Sequence, residues 1–359
     1  MPEPIMTMGQ VLERLRAENH LSPQQVERCA GYLEDCRLNR TPWYIKMLTA
    51  IGAIIAAAMF AIFIGMVAPL SKPELLGLIF IAGALILTFT LHNMFVHDLA
   101  IALSIGGQFA VLAGIEQHHL LGRTADNFWQ LAIVAIILCA ALYPFFTSPV
   151  HRFITCAAAI GLTTAWALEA EQFHLLHLLV LAEAVGASLM LANSRYYSWM
   201  KPLAYALAAA LPATVMVLTA VSGEKFPGMN IDENMTALWP SNIILAAGIL
   251  FLLWWMADEG WSLISEPAAI VLAAVVALGF LTTPGILAGI ALLMFGYALG
   301  DRFITFLGVV FLPVFLGFYY YDLNVDLLTK SGILAASGLI LLACRFLLAR
   351  RPWAEGEPS

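Results

Sequence analysis

From Lys46 to Ala349 the sequence is a succession of apolar segments, each about 16–23 residues long, joined mostly by short polar stretches. No other feature constrains the fold as tightly. A helix rises about 1.5 Å per residue, so about 20 apolar residues cross ~30 Å of hydrocarbon. In that medium every backbone N–H and C=O must be satisfied within the chain, which leaves a helical bundle as the solution. The spacing predicts spans at 46–68, 74–91, 95–116, 128–146, 150–170, 173–192, 200–221, 241–257, 264–282, 284–299, 303–319 and 328–349. The expected fold is therefore all-α, a polytopic transmembrane bundle of about 12 spans, residues 45–350, between a cytoplasmic segment 1–44 and a tail 351–359.

Composition supports this and excludes much else. Only 11% of residues are charged and 61% are hydrophobic, against roughly 25% charged in a soluble domain. The mean hydropathy is +0.86. An ordinary soluble enzyme is excluded, and the lipid bilayer is the first partner. A net charge of −7 argues against nucleic acid. The five cysteines, Cys29, Cys36, Cys139, Cys156 and Cys344, show no C-x-x-C spacing and are expected to be reduced, packed thiols. No cofactor motif is present.

Residues 1–44 read as two short helices. Thr7-x-x-Gln10 and Ser22-Pro23-x-Gln25 both fit the capping box, in which a hydroxyl and a carboxamide satisfy the first free amides of a helix. Val26, Cys29, Ala30, Leu33 and Cys36 then form one apolar stripe. No cleavable signal peptide is apparent, and the run from Lys46 is expected to serve as an uncleaved anchor. With the N-terminus inside, thirteen basic residues fall on the cytoplasmic side and four outside (Lys72, Arg123, Lys225 and Lys330). That asymmetry obeys the positive-inside rule and predicts both termini in the cytoplasm.

Two strings recur. "EQHHLL" at Glu116–Leu121 returns as "EQFHLL" at Glu171–Leu176, and "RFIT" at Arg152–Thr155 returns at Arg302–Thr305. Each recurrence holds the same place in a helical hairpin, which predicts a bundle built partly from repeated two-helix hairpins.

The polar residues inside this apolar frame are the candidate functional groups. Glu183 falls near the middle of the sixth span, where a charged acid costs several kcal/mol, so it must face the bundle interior and take a proton or a partner. Gln108, Ser104, Thr163 and Thr164 are the expected partners, and Gly186 would admit a neighbouring backbone on the same face. The structural alternative is a neutral Glu183 that ties two helices together. On the outer face gather Glu116, Gln117, His118, His119, Glu169, Glu171, His174 and His177. Imidazole and carboxylate in that company can hold a transition metal or titrate near neutrality, or they simply solvate the hairpin turns. Glu266 can reach the cytoplasmic interface. Pro212 and Pro313 should kink their spans. Gly285-x-x-x-Gly289 and Gly296-x-x-x-Gly300 favour close helix contact. Asn234-Met235-Thr236 fits a glycosylation sequon.

"RTPWYIKMLTAIGAIIAAAMF" (Arg40–Phe60) and "YYYDLNVDLLTKSGILAASGLILLACRFLL" (Tyr319–Leu348) resemble the opening and closing signatures of a bacterial polytopic membrane family, domain of unknown function 4401. The resemblance spans about residues 40–350. It implies an inner-membrane protein with no established activity and no catalytic residues to carry over. It also implies association with a second polytopic protein and with one named for a GDYxxLxY motif. The leading expectation is movement of a small solute or ion, linked to protons. The alternative is a structural or regulatory subunit of a membrane complex. Catalysis ranks last, because no nucleophile–base pair or metal motif is visible in the sequence.

Overall fold

The computed structural model describes residues 43–67, 72–90, 94–122, 128–192, 197–222, 238–256 and 266–322, with scattered helical positions between 328 and 343. Among the described residues the fold is all-α, with eleven helices. In chain order they are α1 (Trp43–Val67), α2 (Pro73–Thr90), α3 (Met94–Gly122), α4 (Phe128–Leu142), α5 (Pro149–Glu169) and α6 (Phe173–Ala192). Then follow α7 (Tyr197–Ser222), α8 (Trp239–Met256), α9 (Glu266–Leu281), α10 (Pro284–Leu299) and α11 (Arg302–Asp322). Among the described residues four stretches are long and apolar enough to cross a membrane: Pro73–Thr90, Phe95–Glu116, Phe173–Leu191 and Trp199–Val221. Five shorter apolar helices accompany them. The expected cytoplasmic helices, the sequon, most of the twelfth span and the tail lie outside the described residues.

The chain forms two compact units, residues 1–69 with 87–102, and residues 70–86 with 103–359. In the first, Ala53, Ala57 and Ala100 are buried, and the face of α1 at Gly52 looks onto Phe95. The second holds all the polar clusters described below. Its main apolar core joins α6, α7, α8, α10 and α11 through Val180, Leu211, Leu245, Leu287 and Phe315, among others.

Local sequence sets where these helices begin and end. Pro149 and Pro284 sit in the first turn of α5 and α10, where a missing N–H costs nothing. Gly300 ends α10 in the left-handed conformation with φ 62°, a region glycine enters without steric cost. Asp301 follows at once as the cap of α11, its Oδ1 accepting the amide N–H groups of Phe303 at 2.9 Å and Ile304 at 3.4 Å. The α10–α11 hairpin is packed backbone to side chain. A Cβ on Gly285 would strike the Phe315 ring, one on Gly289 would press on Leu312 at 3.1 Å, and one on Gly296 would reach Thr305 N at 2.5 Å. The close contact expected of these glycines is present at those three positions, whereas Gly300 serves the turn. Both α7 and α11 remain helical through Pro212 and Pro313.

Candidate functional site

Glu183 lies at the middle of α6 and is 1% exposed. Its Oε1 accepts the Thr214 hydroxyl of α7 at 2.8 Å. Thr214 is itself buried, and its Oγ1 lies 3.4 Å from Oγ1 of Thr164 on α5. A threonine hydroxyl has one proton, so with Thr214 donating to Glu183, any bond from Thr164 must run toward Thr214. Thr164 has the carbonyl of Ile160 at 3.1 Å as its other acceptor. Three helices thus meet at one line of oxygens: Ile160 O, Thr164, Thr214 and Glu183.

The second carboxyl oxygen, Oε2, is buried and has no protein hydrogen-bond partner among the described residues. Val180 and Ala187 on α6, and Leu211 and Val215 on α7, one turn or less from Glu183 and Thr214 in sequence, belong to the main apolar core. One turn on, a Cβ at Gly186 would meet Leu207 Cδ1, a side-chain tip of α7, at 3.0 Å; among the described residues no neighbouring backbone comes within 4 Å, so the close backbone approach expected there is not seen.

Thr164 is therefore the only expected partner near Glu183, and it acts at one remove. Gln108 and Ser104 go elsewhere. Ser104 Oγ lies 2.9 Å from Nε2 of His151 on α5, and Gln108 Nε2 lies 3.4 Å from the same nitrogen. His151 is fully buried and stacks on Phe146 at a centroid separation of 4.0 Å. The structure thus contains a serine–histidine pair that the sequence did not reveal, with both residues 0% exposed. Thr163 turns back to the Ala159 carbonyl at 2.8 Å, the usual local bond of a threonine inside a helix.

The outer-face residues divide. Glu116, Glu169, Glu171 and His174 are exposed, and Glu171 holds φ 53° in the turn after α5. His177 instead is buried, its Nδ1 2.7 Å from Ser241 Oγ on α8. The side chains of Gln117, His118 and His119 lie outside the described residues, as does that of Glu266. Among the described residues no three His, Cys, Asp or Glu side chains gather as a metal site would require.

Toward the other end of the helices, three charged residues are fixed in place. Arg152 is buried, donates its Nε to the Tyr143 carbonyl at 2.9 Å, and lays its guanidinium 4.7 Å from the Tyr143 ring centre and 5.7 Å from that of Trp199. Tyr143 closes the cluster by donating its hydroxyl to the Trp199 carbonyl at 2.7 Å. Asp301 Oδ2 accepts the Tyr205 hydroxyl and lies 3.7 Å from Lys201 Nζ. Burial pushes the Asp301 carboxyl up, but the Tyr205 hydroxyl, the α11 amides and Lys201 outweigh it and hold the group below the usual carboxylate range. Cys139 and Cys156 are free thiols packed 3.3 Å apart between α4 and α5.

Long apolar helices, a carboxyl buried among them and cations confined to helix ends define a multi-pass α-helical membrane protein. The family described as domain of unknown function (DUF4401) matches residues 42–351, and the chain belongs to that family. No curated protein and no solved structure matches it.

Proposed function

We propose that this protein is a bacterial inner-membrane bundle of about twelve spans, both termini cytoplasmic, that moves protons together with a small solute or ion through Glu183. The observation that carries this reading is the half-satisfied carboxyl. Oε1 is held by Thr214, while Oε2 is buried with no protein partner among the described residues. A carboxyl retained only to tie helices together would engage both oxygens, since buried polar atoms almost always find partners. An oxygen left bare in apolar surroundings is available to a proton. The orientation rests on the thirteen-to-four distribution of basic residues.

The hairpin repeat is part of the same reading. The two RFIT strings open α5 and α11, and Phe153 and Phe303 meet edge to face at 6.3 Å. Thr155 and Thr305 each return a hydroxyl to the carbonyl four residues back, at 3.0 Å and 2.8 Å. Duplicated hairpins are a recurrent way to build a transporter. No catalytic role is part of the proposal.

The test is proton flux into liposomes that carry the purified protein and an internal pH dye, driven by an imposed potassium diffusion potential. Flux with the native chain and none with Glu183→Gln is expected. Native liposomes no leakier than empty ones, or a Gln variant with native flux, would overturn the reading.

The second reading is a structural or regulatory subunit of a membrane complex, and the 1% exposure of Glu183 favours it. Infrared spectroscopy separates the two. A Glu183 carboxyl band that stays protonated between about pH 5 and pH 9 belongs to a helix tie, and one that titrates in that window belongs to a proton carrier.

A further inference from the structure

A crevice of about 510 Å³ lies between α6, α7, α8 and α10, and Glu183 is not among the residues that line it. Its depth comes from small residues: Ala184 and Ala187 on α6, Ala208 on α7, Gly248 on α8 and Ala291 on α10. Its rim is apolar and open, with Leu189, Ile243 and Phe251 each more than half exposed. Among the described residues the one polar side chain in the lining is Ser188, whose hydroxyl already donates to the Ala184 carbonyl at 2.7 Å.

Water does not suit such a space, because a buried water needs about 2–4 polar partners. An apolar occupant does suit it: an apolar cavity of about 150 Å³ already takes up benzene. Dimensions narrow the occupant further. The lining runs from Leu181 to Leu189 on α6 and from Ile243 to Phe251 on α8, a length of about 12 Å along the helix axes. An open apolar groove of that length admits a run of extended hydrocarbon chain. The medium at the rim supplies one, since α6 and α7 contain two of the four stretches long enough to span a bilayer, and their long axis is the direction in which lipid tails lie.

We propose that this crevice binds one acyl chain of a diacyl phospholipid, which enters sideways from the bilayer and lies between α6 and α8. The site is independent of the Glu183 carboxyl.

Gly248 suits the test, because it lines the crevice and a Cβ there meets nothing within 4 Å. Gly161 on α5 is equally open but lies outside the crevice, so Gly161→Leu serves as the control. The full chain is purified in mild detergent, washed until bulk lipid is gone, and resupplied with palmitoyl-oleoyl phosphatidylethanolamine. Bound lipid is then counted by native mass spectrometry. The native chain and Gly161→Leu should each retain about one phospholipid per chain, and Gly248→Leu should retain none. Ala184→Leu fills the space from the opposite wall and should repeat the loss if Gly248→Leu fails to fold. A native chain that retains no lipid, or filled variants that retain as much as the native chain, would overturn the assignment.

Discussion

Thr214 donates its hydroxyl to Glu183 Oε1 across 2.8 Å and is, among the described residues, the one hydrogen-bonding side chain that the buried carboxyl has. The relationship is asymmetric. Thr214 deprived of Glu183 can turn to the backbone carbonyl four residues back, as buried threonines in helices do. Glu183 deprived of Thr214 has nothing.

Thr214→Val should therefore destabilise the bundle by about 1–3 kcal/mol, the usual cost of stranding a buried polar group. Thr214→Ser should restore most of that loss. Glu183→Leu should be neutral or stabilising, and in its presence Thr214→Val should cost less than about 0.5 kcal/mol. Reversible denaturation in mixed micelles measures all four variants. Equal costs of Thr214→Val in the two backgrounds would mean that the bond contributes nothing.

Glu183 was legible in the sequence because a single carboxylate in a twenty-residue apolar run has no solvent to explain it. Thr214 was not, since a threonine in "LPATVMVLTA" is unremarkable until the rotation of α7 against α6 is known. Sequence spacing fixes the period of a helix but not which neighbour each face meets. His174 and His177 show the limit of that reasoning. Three residues apart, they differ by about 60° around the helix axis, and the boundary between exposed and buried falls in that interval. Ser104 and His151, 47 residues apart, carry no local signal of their pairing. The eleven described helices begin within three residues of the expected starts, because length and apolarity define them, but α3 runs six residues past its expected end and most of the twelfth span lies outside the described residues.

The Asp301 carboxylate makes a pH-dependent contribution. Its folded-state value lies below that of the unfolded chain, so the stabilisation is fully present above the unfolded value of about 3.9 and is lost as the pH falls through the folded one. Asp301→Ala should cost about 0.5–2 kcal/mol at neutral pH, as loss of an N-cap does, and much less in strong acid. Melting temperatures of the two proteins across that range should converge as the pH drops. A constant gap would assign the effect to packing rather than charge.

Glycines in the α10–α11 hairpin should differ sharply in tolerance. Gly285→Ala places a methyl on the Phe315 ring and should destabilise by about 1–3 kcal/mol. Gly317→Ala, on the neighbouring helix with nothing within 4 Å, should be neutral or stabilise by up to about 1 kcal/mol. Thermal unfolding of the two variants side by side decides whether the hairpin is as tightly closed as described.

Membrane orientation is open to direct chemical test. In a cysteine-free background, cysteines placed at Lys225 and Arg123 should react with an impermeant maleimide added from the periplasm, and one at Lys201 should react only after the membrane is opened. Labelling at Lys201 from outside would reverse the bundle.

The glycine contacts between α10 and α11 have a mechanical consequence. With backbone and rings touching at Gly285, Gly289 and Gly296, and with Gly308 facing Leu293 in return, the two helices have no clearance in which to slide. Gly300 and the Asp301 cap shorten the turn between them to two residues. The pair is therefore a stiff lever, and a rocking motion of the bundle would carry α10 and α11 as one body. Displacement would then be concentrated at the other joints of α10, among them the crevice that Ala291, Leu292 and Phe295 line.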